Sequence, residues 1–301
     1  MPKLSRKIEL FTESVIARMS RIAEASGAIN LAEGFPDFPP PQAMCDRLSQ
    51  VAQEGLISTV WTLAQQSAPG HGRLRRQFTG QTIDPEKEVV VTCGGTEALM
   101  AAMMTLVDPG DKVILFSPFY EAYSTDALLC GAEPIYVSLR EPDYTFDGDE
   151  LEAAFKQRPK VIFLCNPSNP CGKVFSRDEL LVISGLAEKY DTFVVIDEVY
   201  EHILYEPTEY TYFSTLPGMY GRTSAAVPCP RRIPSRAGAW LYLCSAGNHG
   251  SHQEAPRLPD HQRAQSAAGS GHHGPSFRAG LLPGSAGHVH AQTGFRHEAP
   301  R

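Results

Sequence analysis

Five short apolar runs alternate with helix-like segments between residues 88 and 198, and this alternation leaves few folds open to the chain. The runs are EVVVT, KVILFS, PIYVSL, KVIFLCN and TFVVIDE. Buried parallel strands read as continuous apolar runs, and strands that alternate with helices are joined by right-handed crossovers. We therefore expect an α/β fold with a mostly parallel sheet layered by helices.

Helices are predicted between these runs from residue type and spacing. They are expected from Thr96 to Leu106, from Tyr120 to Leu129, from about Asp147, a suitable N-cap, to Lys156, and from Ser176 to Tyr190. Upstream, Phe11, Val15, Met19 and Ile22 recur three and four residues apart and predict a helix with one buried stripe, ending near Gly27. The proline-rich stretch that follows is expected to be an ordered loop.

The composition of the chain changes near residue 217. Residues 1–217 carry 18 basic and 31 acidic side chains, whereas residues 218–301 carry 9 and 3. The latter stretch also contains 12 glycines and 8 prolines, a composition that leaves little material for a core. We expect an N-terminal helix and substrate-side loop over residues 1–40, a large domain over 41–217 and an aberrant tail of low order over 218–301.

Composition also excludes several classes of protein. With 301 residues, 42% of them hydrophobic, the chain can bury a sizeable core. It has no apolar stretch long enough for a membrane span and no signal-peptide layout at its N-terminus. These two absences predict a cytoplasmic location. The seven cysteines show no C-x-x-C spacing, so we expect reduced thiols and no structural metal. The basic tail lacks aromatic interleaving and lysine clusters, which argues against a nucleic-acid partner.

Ligands of parallel α/β sheets bind beyond the carboxyl ends of the strands, so the residues that follow each run are candidates for a site. After the first run, Gly94, Gly95 and Thr96 offer backbone N–H groups to a phosphate, or form a plain glycine turn that Thr96 caps. After the second run, Tyr120 is placed to stack on a flat cofactor, or belongs to the core.

Two further strand ends carry polar side chains. Residues 166–172 contain two Asn-Pro pairs, which an ordinary turn seldom needs, and the amide of Asn169 can donate to a phenolic oxygen. Asp197 ends a fully apolar run, where a carboxylate needs a hydrogen-bonded or cationic partner such as a protonated pyridine nitrogen. Alternatively, Asp197 caps the segment that follows it.

Taken in order, these pieces resemble the aspartate aminotransferase superfamily, most closely the branch with kynurenine, glutamine and bacterial methionine aminotransferases. The motifs are Ile29-Asn30-Leu31 through Gly34-Phe35-Pro36-Asp37-Phe38, Gly94-Gly95-Thr96-Glu97-Ala98, Pro118-Phe119-Tyr120, Asn166-Pro167-Ser168-Asn169-Pro170-Cys171-Gly172 and Asp197-Glu198-Val199-Tyr200. The resemblance covers residues 5–217 apart from residues 61–71, where relatives carry N-Q-Y and this chain has no tyrosine. It implies a fold-type I enzyme that depends on pyridoxal 5′-phosphate.

The resemblance also implies a role for each motif. The cofactor-binding residues are Gly94, Gly95 and Thr96 at the phosphate, Tyr120 on the ring face, Asn169 and Tyr200 at the phenolic oxygen, and Asp197 at the ring nitrogen. Gly34 would lie beside the substrate carboxylate. The substrates would be a 2-oxo acid and an amino acid with a large apolar, aromatic or sulfur-containing side chain. The family forms homodimers, which we do not expect this tail to support.

The lysine that attaches the cofactor in this family is missing. It belongs about three dozen residues after the aspartate, in S-x-S-K followed by G-W-R, and it also moves the α-proton of the substrate. The last lysine of the chain, Lys189, precedes Asp197, so no catalytic residue can be assigned. The chain therefore derives from an aminotransferase or from a C–S lyase of the same superfamily, or it is an inactive, truncated or frameshifted product.

A change of reading frame explains the missing lysine. One set of legal codons can be chosen for residues 228–240 that, read from their third nucleotide, gives L-S-K-T-Y-S-I-T-G-W-R-L, with the lysine codon straddling Pro230 and Arg231. Residues 247–263 likewise yield E-I-T-E-A-I-R-K-L-H-D-F-L-T-I-S in a different frame, a string with helical periodicity. We expect the C-terminal part to be frameshifted and the family's small C-terminal domain to be lost or disordered.

Overall fold

A single seven-stranded sheet forms the centre of the computed structural model, which describes residues 13–33, 42–53, 72–85, 87–92, 94–227 and 240–243, and positions 3–5, 7, 9, 39 and 70. The strands are β1 (Val89–Thr92), β2 (Lys112–Ser117), β3 (Glu133–Ser138), β4 (Val161–Cys165), β5 (Phe193–Asp197), β6 (Thr223–Val227) and β7 (Trp240–Leu243). Their order is β1-β7-β6-β5-β4-β2-β3. Only β7 runs antiparallel to its neighbours, so the predicted α/β sheet is confirmed.

Seven helices accompany the sheet in the described part of the chain. They are α1 (Val15–Ser26), α2 (Gln42–Gln53), α3 (residues 72–79), α4 (Gly95–Leu106), α5 (Glu121–Leu129), α6 (Gly148–Phe155) and α7 (Arg177–Lys189). Each end of α4 to α7 lies within one residue of its prediction. The predicted cap Asp147 accepts hydrogen bonds from the N–H groups of Asp149 and Glu150. Among the described helices, none has the length and apolar character that a membrane span requires.

The core lies on both faces of the sheet. One cluster joins Ile162 and Leu164 of β4 to α6 and α7 through Phe155 and Ile183. The other joins Phe163 of β4 to α4 and α5, with side chains such as Leu99, Met103 and Tyr123. Strands that are buried on both faces explain why the sequence shows continuous apolar runs rather than alternation.

Low order was predicted from residue 218 onward, and this boundary is wrong. Residues Thr223–Val227 form β6, whose five residues are all buried and which pairs in parallel with β5. The backbone of Trp240–Leu243 pairs with β1 and β6. An average over 84 residues hides a five-residue run, T-S-A-A-V, whose small and β-branched side chains fit between two strands. Residues 228–239 and 244–301 lie outside the described residues, so the loss of the small domain stays a prediction.

The predicted apolar stripe of α1 is present but not buried. Val15, Met19 and Ile22 are 59%, 41% and 52% exposed. Periodicity reports that a helix is amphipathic, whereas burial also requires a covering surface, and none of the described residues supplies one here. The predicted end of the helix is confirmed, because Gly27 closes it with a positive φ of 67°.

Candidate functional site

The polar strand ends predicted from the sequence meet at one edge of the sheet. Cys165, the last residue of β4, pairs with Asp197, the last residue of β5. Beyond them, the N–H of Asn166 donates to the carbonyl of Asp197 across 2.9 Å. The turn that carries Asn169 and the turn that carries Tyr200 are therefore bonded to each other.

Asp197 is the buried carboxylate of this edge. Its Oδ1 accepts a hydrogen bond from the N–H of Val199 at 3.0 Å, and its Oδ2 accepts one from the hydroxyl of Tyr123 at 2.8 Å. Burial raises the pKa of Asp197 to about 6, and these two hydrogen bonds oppose the rise. The bond to Val199 is the local turn contact foreseen as an alternative, whereas Tyr123 is a site residue that the sequence analysis missed.

Tyr120, Asn169 and Tyr200 surround this carboxylate. Tyr120 is half-buried and its ring meets that of Tyr123 edge to face, with centroids 5.6 Å apart. Burial raises the pKa of Tyr200, the negative charge of Asp197 adds to the rise, and a hydrogen bond with Asn169 opposes it. The structure thus brings four of the predicted site residues into one neighbourhood.

The residues predicted to bind a phosphate lie at the beginning of α4. The helix starts at Gly95 and its N-cap is Gly94, which has a φ of 92° and no side-chain cap. Thr96 therefore lies inside the first turn, and the alternative in which Thr96 caps a glycine turn is wrong. First-turn N–H groups lack intrahelical acceptors and carry the positive end of the helix dipole, so an anion fits there. Gly34, the predicted neighbour of the substrate carboxylate, lies outside the described residues.

A buried ion cluster, which the sequence analysis also missed, contacts the turns that follow β4 and β5. Arg75 of α3 is 4% exposed and donates to Glu198 and, at 2.5 Å, to Glu201. The Tyr210 hydroxyl lies 3.0 Å from Glu198 Oε1 and 2.9 Å from the carbonyl of Asn166. Burial raises the pKa of Glu201 to about 7 despite the opposing charge of Arg75. The cluster joins α3 to the turns after β4 and β5.

Another buried carboxylate, Asp126 of α5, lies outside these networks. It is 4% exposed, and no described residue bonds its Oδ2. Burial raises the pKa of Asp126 to about 7. A raised folded-state pKa contributes stability below the unfolded value of about 4, and this contribution is lost as the pH rises to about 7.

Replacing Asp126 by asparagine should remove this pH dependence. Relative to the parent chain, the variant is expected to gain roughly 2–4 kcal/mol of unfolding free energy between pH 4 and pH 7, since 1.36 kcal/mol corresponds to one pH unit. Urea unfolding at several pH values measures the gain. The exposed Asp178, replaced by asparagine, is the control. A variant whose pH profile parallels that of the parent would show that Asp126 ionises freely.

Most of the chain matches a known sequence family. Residues 26–227 match the sequence model of the aminotransferase class I and II family. The chain belongs to this family. Its enzymes depend on pyridoxal 5′-phosphate, so the cofactor that the family resemblance implied is confirmed.

Curated relatives agree with this assignment. Human kynurenine–oxoglutarate transaminase 3 is 35% identical over 238 residues, which cover 73% of this chain and 51% of the relative. A probable N-succinyldiaminopimelate aminotransferase of Mycobacterium tuberculosis is 36% identical, over 72% of this chain and 55% of the relative. The chain spans about half the length of the curated relatives it matches.

Solved structures share the fold. The N-succinyldiaminopimelate aminotransferase of Mycobacterium tuberculosis superimposes with a TM-score of 0.74 and 30% identity, over 84% of this chain and 67% of that one. YbdL from Escherichia coli, which has a methionine aminotransferase function, gives a TM-score of 0.76 and 25% identity, over 87% and 68%. The predicted fold-type I architecture is therefore confirmed.

Proposed function

We propose that this chain carries the cofactor site of an aminotransferase that moves an amino group between an amino acid and a 2-oxo acid. The observation that carries the proposal is the position of Asp197, a buried carboxylate at the sheet edge where Tyr120, Asn169 and Tyr200 meet. A cationic partner, such as a protonated ring nitrogen, would further stabilise a buried carboxylate in this place. The donor set around it suits a flat ring that bears a phenolic oxygen.

Each residue of the site has a task toward pyridoxal 5′-phosphate. The N-terminus of α4, at Gly94, Gly95 and Thr96, would hold the phosphate. Tyr120 would cover the ring, and Asn169 and Tyr200 would donate to its phenolic oxygen. Asp197 would hold a proton on the ring nitrogen. The bound cofactor supplies an electron sink for the carbanion that an amino acid leaves when its α-proton departs.

The substrate is proposed at the level of its class. Relatives that are kynurenine and methionine aminotransferases favour an amino acid with a large apolar, aromatic or sulfur-containing side chain. Gly34 would lie beside the carboxylate of this substrate. A C–S lyase needs the same site, and release of ammonia instead of amino-group transfer distinguishes it. We also propose that the protein is cytoplasmic and that it forms no stable dimer.

The loss of activity through a frame change is the second part of the proposal. The family match ends at Val227, which is the last residue of β6 and directly precedes the stretch whose shifted frame would encode S-K-T-Y. A lysine encoded across Pro230 and Arg231 would begin within roughly 11–14 Å of the end of β6, since an extended chain covers at most about 3.6 Å per residue. Strand β6 runs parallel to β5, so that lysine starts from the same sheet edge as Asp197.

Replacing Asp197 by alanine tests the proposed site. We expect the affinity of the full chain for pyridoxal 5′-phosphate to fall roughly ten- to a hundredfold, because a hydrogen bond to a charged group contributes about 1.5–3 kcal/mol. Absorbance titration at a range of cofactor concentrations measures this. Asp178→Ala, an exposed carboxylate on α7, serves as the matched control. Equal affinities of parent and Asp197→Ala would contradict the assignment.

A further inference from the structure

We propose that Tyr123 is a positioning residue of this site: its hydroxyl orients the Asp197 carboxylate and stabilises its charged form. The inference rests on the proposed function, because it makes Tyr123 the residue that keeps Asp197 ready for a cationic nitrogen. None of the motifs that identify the family contains Tyr123, and its partner lies 74 residues further along the chain.

The position of the hydroxyl is set by aromatic packing on two sides. Tyr123 is 3% exposed and its ring stacks on Phe163 of β4, with centroids 4.2 Å apart and an angle of 25°. Tyr120, the residue proposed to cover the cofactor ring, meets the same ring edge to face at 76°. Held between these rings, Tyr123 places its hydroxyl 2.8 Å from Asp197 Oδ2.

The hydrogen bond from Tyr123 is one of the few interactions that favour the ionised form of Asp197. Among the described residues, the titratable groups that interact electrostatically with Asp197 are Tyr120, Tyr123, Cys165, Glu198 and Tyr200. Burial disfavours the carboxylate, and the negative charge of Glu198 disfavours it further. The hydroxyl of Tyr123 and the N–H of Val199 are the hydrogen bonds that oppose them.

Tyr123 remains a donor throughout the range in which Asp197 titrates. Burial and the charge of Asp197 hold the pKa of Tyr123 well above that of an ordinary tyrosine. Its hydroxyl therefore keeps its proton and has two acceptors within reach, Asp197 Oδ2 and the Cys165 sulfur. The carboxylate is the stronger acceptor, since hydrogen bonds to ionised groups are about twice as strong as neutral ones.

The first measurement follows Asp197 itself in the cofactor-free full-length chain. The ¹³Cγ resonance of Asp197, assigned with Asp197→Asn, is titrated in the parent, in Tyr123→Phe and in Tyr190→Phe. The control residue Tyr190 has a partly buried hydroxyl that contacts Glu152. We expect Tyr123→Phe to shift the Asp197 midpoint upward by about one pH unit, which corresponds to tenfold, and Tyr190→Phe to leave it unchanged. An unchanged midpoint in Tyr123→Phe would overturn the inference.

The second measurement uses pyridoxamine 5′-phosphate, whose binding needs no lysine. Tyr123→Phe is expected to weaken its binding about tenfold, and the ¹⁵N resonance of the bound ring nitrogen should move toward that of the neutral ring. Tyr190→Phe should change neither. If the parent itself fails to bind this probe, the proposed function fails, while a shifted Asp197 midpoint still supports the effect of Tyr123 on the carboxylate. Binding to Tyr123→Phe as tight as to the parent would contradict the positioning role.

A variant with the opposite expected effect guards against misfolding of Tyr123→Phe. Incorporation of 3,5-difluorotyrosine at position 123 keeps the shape of the ring and makes the hydroxyl a stronger donor. The Asp197 midpoint should then move downward from that of the parent. A midpoint that rises or stays fixed would contradict the inference independently of the phenylalanine variant.

Discussion

Replacing Arg75 by alanine is expected to lower the free energy of unfolding by about 3–5 kcal/mol, because it leaves buried carboxylates without their counter-charge. Glu198 is fully buried and Glu201 is 5% exposed, and both accept hydrogen bonds from Arg75. The guanidinium also packs 4.4 Å from the centre of the Tyr212 ring, so its removal opens a gap as well. Urea unfolding of the full chain measures the loss.

Two companion variants separate charge from packing. The neighbouring Arg76 is exposed, and its replacement by alanine should change stability by less than about 0.5 kcal/mol. Adding Glu198→Gln and Glu201→Gln to Arg75→Ala should recover part of the loss, because the amides carry no charge to be compensated. A loss of under 1 kcal/mol for Arg75→Ala alone would contradict the account of the cluster.

Restoring the family's lysine should have the largest functional effect. Residues 228–239 are replaced by L-S-K-T-Y-S-I-T-G-W-R-L, the string encoded in the shifted frame, which leaves the chain length unchanged. We expect borohydride reduction with pyridoxal 5′-phosphate to attach about one cofactor per chain at the new lysine, because the site brings the carbonyl of the cofactor to that amine. Peptide mapping by mass spectrometry locates the label.

The matched control carries alanine in place of the lysine within the same string. It should bind the cofactor but show no label in the replaced segment. The parent chain has no lysine after Lys189. The label found on the parent therefore measures the background reaction of its surface lysines with the cofactor. A lysine-containing string that is labelled no more than exposed lysines of the parent would contradict the placement of the lysine at this site.

Local signals in the sequence predicted most of the sheet and its helices. Continuous apolar runs marked β1 to β5, and caps such as Asp147 and Ser176, which forms a capping box with Glu179, fixed the ends of α6 and α7. The strand-end rule then directed attention to Tyr120, Asn169, Asp197 and Tyr200, which the structure brings into one neighbourhood. These features were accessible because each depends on residues close together in the chain.

Long-range contacts were beyond the reach of the same reasoning. Arg75 and Glu198 are 123 residues apart, and Tyr123 and Asp197 are 74 apart, so neither pair leaves a local pattern. Strand β6 was missed because composition averaged over the tail masked a run of five residues. For α1 the apolar spacing correctly predicted an amphipathic helix. Whether its apolar stripe is buried depends on other parts of the protein, which the spacing does not describe.

The most direct test of the central claim is the nucleotide sequence of codons 228–240. The claim is that an aminotransferase cofactor site lost its lysine through a change of frame, and it predicts CCA for Pro230 and AGA for Arg231, which together contain AAG followed by the first base of a threonine codon. Reading on in that frame should give T-Y-S-I-T-G-W-R. A CGN codon for Arg231, or any other third base at Pro230, would contradict the claim, because no lysine codon could then straddle the two residues.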